Sequence, residues 1–185
     1  MNKVRLEAFS DGVIAIIITI MVLELKTPHG AAPHDLAPVL PVMLRYLLSF
    51  IYVGIYWINH HYLFDKVQKV DGVAMWANLH LLFWISLIPF VTAWAGEHPF
   101  DSVPVAMYGA VLLMCSIGFV VLDEVLRTRG ALHAGSTRPS WMERKNLASM
   151  LLYALAIPLA LWYAPAGSIV HVVVALLWLR PRAHA

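Results

Sequence analysis

Charged residues are scarce in this chain. Asp, Glu, Lys and Arg together make up 13% of its 185 residues, whereas hydrophobic residues make up 61%. A soluble domain normally carries about twice that share of charge, so this composition excludes a water-soluble globular domain and indicates a polytopic membrane protein. The length leaves room for about six membrane spans of roughly 20 residues each.

Cysteine is scarcer still, because Cys115 is the only one. A single cysteine excludes an intrachain disulfide, and its place inside an apolar run is typical of a small buried residue. A convincing cleavable signal peptide is also lacking, because the first apolar segment carries Asp11 and Glu24 and has no small-residue cleavage site after it. We therefore expect the chain to keep its N-terminus.

Six apolar segments predict an all-α membrane protein with six transmembrane helices in a single domain over residues 1–185. The segments are approximately Ala8–Leu25, Val39–Phe64, Val73–Ala95, Ser102–Leu126, Asn146–Ala164 and Pro165–Leu179. Only Pro165 and Gly167 mark a break between the last two, so these could instead form one long kinked helix. The sixth segment is also short for a full span.

The basic residues fall mainly on one side of this arrangement. With the N-terminus in the cytoplasm, eleven of the thirteen Lys and Arg lie inside, and only Lys26 and Arg45 oppose that placement. The eleven are Lys3, Arg5, Lys66, Lys69, Arg127, Arg129, Arg138, Arg144, Lys145, Arg180 and Arg182. We therefore expect a multi-pass protein with both termini in the cytoplasm. Membrane topology accounts for the basic residues, so nucleic acid is not a predicted partner.

Polar residues open the first segment, where Arg5, Ser10 and Asp11 stand just before a long apolar run. Such groups are costly in lipid and usually have a partner or a function. On a helical wheel of about 100° per residue, Asp11 lies about 140° from Ile16. Ile16, Thr19, Ile20 and Leu23 share a different face about 100° wide. This stripe and Asp11 therefore face different partners.

The wheel alone does not say what the stripe faces. A helix that is apolar nearly all round has no marked inner side, so Ile16, Ile20 and Leu23 could equally face lipid or pack against another helix. The Thr19 hydroxyl could simply bond to the preceding turn.

The second segment offers partners for the polar residues of the first. Trp57, His60, His61 and Phe64 are spaced to share one helix face, and the third segment brings Asn78 to a similar depth. We predict a buried polar network that holds the first helix, with either His60 or His61 as its histidine. Its predicted members are Arg5, Ser10, Asp11, Trp57, His60 and Asn78.

These residues resemble the transmembrane protein 175 family of potassium channels. The resemblance rests on the R-x-x-x-F-S-D-G motif at Arg5–Gly12, the W-x-x-H motif from Trp57 to His60, and the N-L…P-F pattern that runs from Asn78 to Phe90. It covers essentially the whole chain. It implies a channel without a separate pore loop, and the sequence agrees, since it has no carbonyl-type filter segment.

The resemblance also implies roles for the stripe. The first helix of each subunit would line the pore, with Ile16 as the narrow hydrophobic gate, Thr19 favouring potassium, and Ile20 and Leu23 as further constrictions. Because one six-helix repeat cannot surround a pore, the resemblance implies a homotetramer in a prokaryotic plasma membrane. Its partners would be potassium ions and the lipid bilayer, with the ion path near Thr19 and no tight metal site.

Three alternatives remain. A proton-coupled transporter or proton channel could use Asp11 and His60 as a relay, with Glu24 as a further carboxylate. A bis-histidine haem site would need two of the histidines within the spans, but no haem-attachment motif is present. A hydrolase lacks a recognisable nucleophile motif around Ser10. We therefore expect no cofactor and no enzymatic activity.

Overall fold

A computed structural model describes residues 2–133, 135–136 and 139–179 of the chain. Its helices are α1 (Lys3–Leu23), α2 (Leu40–Phe64), α3 (Gly72–Ser86), α4 (Ile88–Glu97), α5 (Ser102–Thr128), α6 (Ser140–Trp162) and α7 (Ala164–Leu179). A short 3-10 helix, Pro33–Leu36, precedes α2. Within the described ranges the extended structure is limited to an isolated bridge between Val67 and Leu132. The prediction of an all-α polytopic protein is confirmed.

Among the described residues, five helical stretches are long and apolar enough to cross a membrane. They are Lys3–Leu23, Leu40–Phe64, Gly72–Glu97, Ser102–Thr128 and Ser140–Trp162. The sixth predicted segment forms α7, whose 16 residues span about 24 Å, less than the roughly 30 Å of a hydrocarbon core. The chain is extended at Tyr163, between α6 and α7, and the two helices pack against each other. The alternative of one long kinked helix is therefore wrong.

Two helices begin earlier than the apolar runs predict. The side chain of Asn2 accepts a hydrogen bond from the Val4 amide and caps α1, which therefore starts at Lys3. Similarly, α6 starts at Ser140 and adds a charged turn before its apolar part. Hydropathy marks only the portion of a helix that is apolar, so it misses turns that extend beyond that portion.

The third predicted segment is one apolar span built from two helices. The chain leaves regular α-helix at Leu87 and re-enters it at Ile88. Pro89 stands in the first turn of α4, and its missing N–H cannot bond to the Ile85 carbonyl one turn earlier. The proline ring at position 89 is therefore the cause of the break.

The core of the bundle surrounds α5, which packs against α3, α4, α6 and α7. Cys115 is buried in this helix, as its apolar setting predicts. By contrast, α1 lies at the edge and packs against α2, α3 and α4. One face of α1 is therefore left outside the bundle.

Polar contacts connect the helix ends on both sides of the span. On the side where α1 begins, here the N-terminal side, Arg129 Nη1 lies 3.4 Å from Asp71 Oδ2. On the opposite side, Lys26 Nζ lies 2.5 Å from Glu97 Oε1 and connects the ends of α1 and α4. The bond and charge of Glu97 raise the pKa of Lys26, which therefore remains cationic.

The basic residues of the described ranges follow the predicted partition. Eight of the eleven predicted to lie inside fall on the N-terminal side, at the start of α1 or α6, after α2, or at the end of α5. Arg138, Arg180 and Arg182 lie outside the described residues. Arg45 differs from Lys26, because it lies within α2 and is buried.

Candidate pore-lining site

One face of α1 is buried against its own subunit. Its members follow one another at intervals of three or four residues, as expected for one side of a helix. They are Leu6, Ser10, Ile14, Ile17 and Met21. Because these side chains pack on α2, α3 and α4, they define which side of an otherwise uniformly apolar helix faces inward.

The predicted stripe lies on the other face. Ile16 is 58% exposed, Ile20 43% and Leu23 80%, and Thr19 is exposed between them. On the wheel, Ile16 lies about 120° from the centre of the buried face. The four residues therefore share a face of α1 that the subunit itself does not cover.

The Thr19 hydroxyl has a defined orientation within this stripe. It donates a hydrogen bond of 2.9 Å to the carbonyl oxygen of Ile16, which is the local bond that Thr forms in helices. Because the hydroxyl proton is used in this bond, the oxygen has lone pairs left to accept a donor or contact a cation.

A groove of about 470 Å³ runs beside the stripe, between α1 and α4. Ile16 and Ile20 line one wall, and Pro89 and Phe90 line the other. Sequence reasoning assigned no role to Phe90, which is 61% exposed, although the Pro89-Phe90 pair was part of the resemblance. An exposed aromatic beside the stripe adds to the apolar surface that a neighbouring molecule would meet.

A buried chain of three polar side chains holds α1 to the bundle. Asn78 Nδ2 donates to Ser10 Oγ at 2.9 Å, and Asn78 Oδ1 lies 2.8 Å from His60 Nε2. The Ser10 hydroxyl in turn donates to the Leu6 carbonyl at 2.9 Å. All three side chains are at most 2% exposed. The amide of Asn78 thus bridges α1 and α2 from α3, and His60 rather than His61 is the histidine involved.

Asp11 belongs to a second, separate contact. Its Oδ1 accepts a hydrogen bond of 3.0 Å from Trp57 Nε1, and both side chains are exposed. No hydrogen bond joins Asp11 to His60 among the described residues. Arg5 is exposed and makes no side-chain contact to either group within the described part of the chain. The structure thus resolves the predicted network into a buried triad and an exposed pair, with Arg5 outside both.

The remaining histidines of the spans are not part of the triad, although the His61 ring stacks on Trp57 with the ring centroids 6.2 Å apart. His61 is exposed near Asp65, and His80 accepts a hydrogen bond from Trp84. His171 is buried in α7 beside the ring of Tyr108. Across the described residues no three His, Cys, Asp or Glu side chains form a group that could hold a metal ion.

Fold and site together define a class: a polytopic helical membrane protein whose first helix is anchored by polar contacts and leaves an apolar, hydroxyl-bearing face uncovered. Residues 5–89 match the family model described as endosomal/lysosomal potassium channel TMEM175. The chain is 48% identical over 181 residues to a potassium channel of Chryseobacterium sp. (strain P1-3), covering 98% of this chain and 94% of that one. The chain belongs to the TMEM175 family.

Two further relatives extend the comparison. The crystal structure of a lysosomal potassium-selective channel TMEM175 homolog from Chamaesiphon minutus superposes with a TM-score of 0.79 at 28% identity, covering 95% of each chain. The human endosomal/lysosomal proton channel TMEM175 is 29% identical over 180 residues, which are 86% of this chain and 35% of the human protein. The fold predicted from the resemblance is therefore confirmed, with α3 and α4 together forming the third of its six helical segments.

Proposed function

We propose that this chain is one subunit of a potassium-conducting channel whose pore is lined by α1. The observation that carries the proposal is the bare stripe of Ile16, Thr19, Ile20 and Leu23 on the face of α1 opposite its buried side. The name of the Chryseobacterium relative and that of the Chamaesiphon structure support potassium as the ion.

One subunit cannot enclose a pore with a single helix, so the proposal requires several copies. Four copies around a four-fold axis would bring four α1 stripes together. The groove beside Phe90 then faces the neighbouring subunit, which would cover this exposed aromatic ring. The chain would act as a homotetramer in the plasma membrane, with both termini in the cytoplasm according to its basic residues.

The proposed mechanism combines two rings of side chains. Four copies of Ile16 form a narrow apolar constriction, with Ile20 and Leu23 as further apolar rings, and such constrictions gate by losing water. Four copies of Thr19 present hydroxyl oxygens whose protons are held by the Ile16 carbonyl, so lone pairs replace part of the water around a potassium ion. Glu24, exposed at the end of the stripe, adds negative charge that concentrates cations.

In this mechanism the polar contacts position α1 and do not touch the ion. The triad of Ser10, His60 and Asn78 fixes the rotation of α1, because the hydroxyl of Ser10 meets Asn78 only when the stripe points away from the bundle. Arg5 lies outside the triad and has no role in it. The function is passive conduction, and we propose neither a cofactor nor an enzymatic step.

Proton conduction is the second candidate, because vertebrate relatives carry the name proton channel. A relay through Asp11 and His60 is disfavoured, since the Asp11 carboxylate bonds to Trp57 and His60 bonds to Asn78. In this second candidate, protons would pass through the proposed α1 pore rather than through such a relay.

Flux through liposomes tests both candidates. The purified full chain is reconstituted, and current is recorded under a potassium gradient at equal pH and then under a pH gradient at equal potassium. We expect a passive current that reverses near the potassium equilibrium potential. A current that follows only the proton gradient would show that the conducted ion is the proton and not potassium. The absence of passive current from folded protein would show that the chain does not form a channel.

A further inference from the structure

A second large groove lies far from the stripe, on the side of the span where α1 ends. It measures about 680 Å³ and runs between the start of α2 and the start of α7. Leu44, Leu48, Ile51, Ile169 and Val172 contribute to its apolar walls. Its volume lies within the range of about 300–1,000 Å³ typical of ligand sites. Its apolar walls come from the membrane-spanning part of α2 and from α7.

Two polar side chains, Arg45 and Ser168, share the lining of this groove. Arg45 Nη2 donates a hydrogen bond of 2.9 Å to Ser168 Oγ. Because Ser168 is the acceptor in this bond, its own hydroxyl proton is available to a further acceptor. The groove is therefore apolar along its length and has paired donors at one place.

The guanidinium of Arg45 has no matching negative charge among the described residues. Its Cζ lies 4.9 Å from the centre of the Tyr108 ring, and its Nη1 is buried without a hydrogen-bond partner. Arg45 is 8% exposed and forms no ion pair with any residue in the described part of the chain. A buried cation without a counter-charge is expensive, and intramembrane arginines usually pair. An anion beside this group would offset that cost.

The length of α2 puts Arg45 near the level where the hydrocarbon core meets the lipid headgroups. Arg45 stands five residues after Leu40, which is about 7.5 Å along the helix. The 25 residues of α2 extend about 38 Å, compared with roughly 30 Å for the hydrocarbon core. Arg45 therefore lies near the boundary of that core, while the apolar walls of the groove continue inward.

We propose that this groove is a binding site for a phospholipid of the leaflet on that side. The phosphate would accept hydrogen bonds from the Arg45 guanidinium and the Ser168 hydroxyl, and an acyl chain would lie between Leu48 and Val172. A guanidinium fits a phosphate through two donors at once, and the phosphate supplies the missing negative charge. Free phosphate would leave the apolar walls without a partner, so the lipid is the occupant that fits the whole groove.

Lipid titration by native mass spectrometry tests this site. The delipidated full chain in detergent is titrated with phosphatidylglycerol and, separately, with a diacylglycerol that has the same acyl chains but no phosphate. We expect one tightly bound phosphatidylglycerol per subunit. Arg45→Leu should weaken that binding by about tenfold or more, because a charge-assisted hydrogen bond contributes at least that factor.

Two matched variants separate the site from general effects. Lys26→Leu removes another basic side chain on the same side, outside the groove, and should leave phosphatidylglycerol binding unchanged. Ile169→Trp keeps Arg45 but fills the groove from a side chain that is 63% exposed, so it should reduce binding without disturbing the core. Because this variant keeps Arg45, it tests the groove even if Arg45→Leu fails to fold.

Three results would overturn the proposal. They are equal binding of phosphatidylglycerol and diacylglycerol to the parent protein, equal losses in Arg45→Leu and Lys26→Leu, and unchanged binding in folded Ile169→Trp. None of these results depends on ion conduction, so the lipid site and the proposed channel function can fail separately.

Discussion

The two faces of α1 differ in how far the chain's own helices cover them. The inner face, with Ile14 and Met21, is almost completely buried by the subunit's own helices, and Ser10 adds a hydrogen bond to Asn78. The outer face, with Ile16 58% and Leu23 80% exposed, is largely uncovered by the rest of the described chain. Substitutions on the inner face should therefore act on folding, and substitutions on the outer face on whatever the assembled protein conducts.

The largest expected effect is on the inner face, at Asn78. Asn78→Leu removes the amide that contacts both Ser10 and His60, so the buried His60 Nε2 loses its partner and Ser10 Oγ keeps only its bond to the Leu6 carbonyl. We expect the free energy of unfolding to fall by about 2–4 kcal/mol, measured by denaturation in detergent. Asn59→Leu is the matched control, because within the described part of the chain that amide bonds only to the Ile55 carbonyl of its own helix. Equal losses in both variants would contradict a bridging role for Asn78.

The next effect is on the outer face, at the proposed constriction. In the proposed tetramer, Ile16→Ala removes four bulky side chains from one ring and lowers the barrier to wetting, so single-channel conductance should rise several-fold. Ile14→Ala makes the same change two residues earlier on the buried face. It should instead destabilise the protein by about 2–5 kcal/mol without raising conductance. If conductance rises in Ile14→Ala and not in Ile16→Ala, the face that carries Ile14 lines the pore and the proposed assignment is wrong.

A smaller effect is expected at Thr19, where the oxygen rather than the size of the side chain is proposed to act. In the proposed tetramer, Thr19→Val keeps the shape and removes four hydroxyls, so the ratio of potassium to sodium permeability should fall. Thr19→Ser keeps the oxygen and should retain most of the ratio. Reversal potentials under bi-ionic conditions measure both. If Thr19→Val and Thr19→Ser change the ratio alike, the hydroxyl is not the selective group.

The smallest effect is expected at Asp11, between the two faces. Its bond to Trp57 is exposed, so Asp11→Asn should lower the free energy of unfolding by only about 0.5–1 kcal/mol. Double-mutant cycles should show coupling to Trp57→Phe and none to His60→Gln. Coupling to His60 together with altered cation selectivity would place the carboxylate in an ion or proton path.

Periodicity was sufficient to group the stripe but not to orient it. Ile16, Thr19, Ile20 and Leu23 share a face at any helix rotation, because the 3.6-residue repeat alone places them together. Which face turns inward depends on contacts with α2, α3 and α4, and a uniformly apolar helix carries no moment that predicts it. The orientation is a tertiary property.

The polar contacts show the same limit. Residue types and depth brought Ser10, His60 and Asn78 into one predicted group, and they do form one chain of hydrogen bonds. Their division from Asp11 and Trp57 could not be predicted, since it depends on side-chain directions on three packed helices. The break at Leu87 was also missed, because hydropathy runs on through it and Pro89 was its only sign.

The two ends of α1 are supported in physically different ways. Near its start, Ser10 and Asn78 are enclosed by protein, and their bond is indifferent to dissolved ions. Just beyond its other end, Lys26 and Glu97 form an ion pair open to water. Salt screens such a pair, since the screening length is about 8 Å at 0.15 M and shorter at higher concentration. Rising ionic strength therefore weakens the ion pair of Lys26 and Glu97 and leaves the buried bond of Ser10 and Asn78 unchanged. Salt thus affects the attachment of α1 at only one of its two ends.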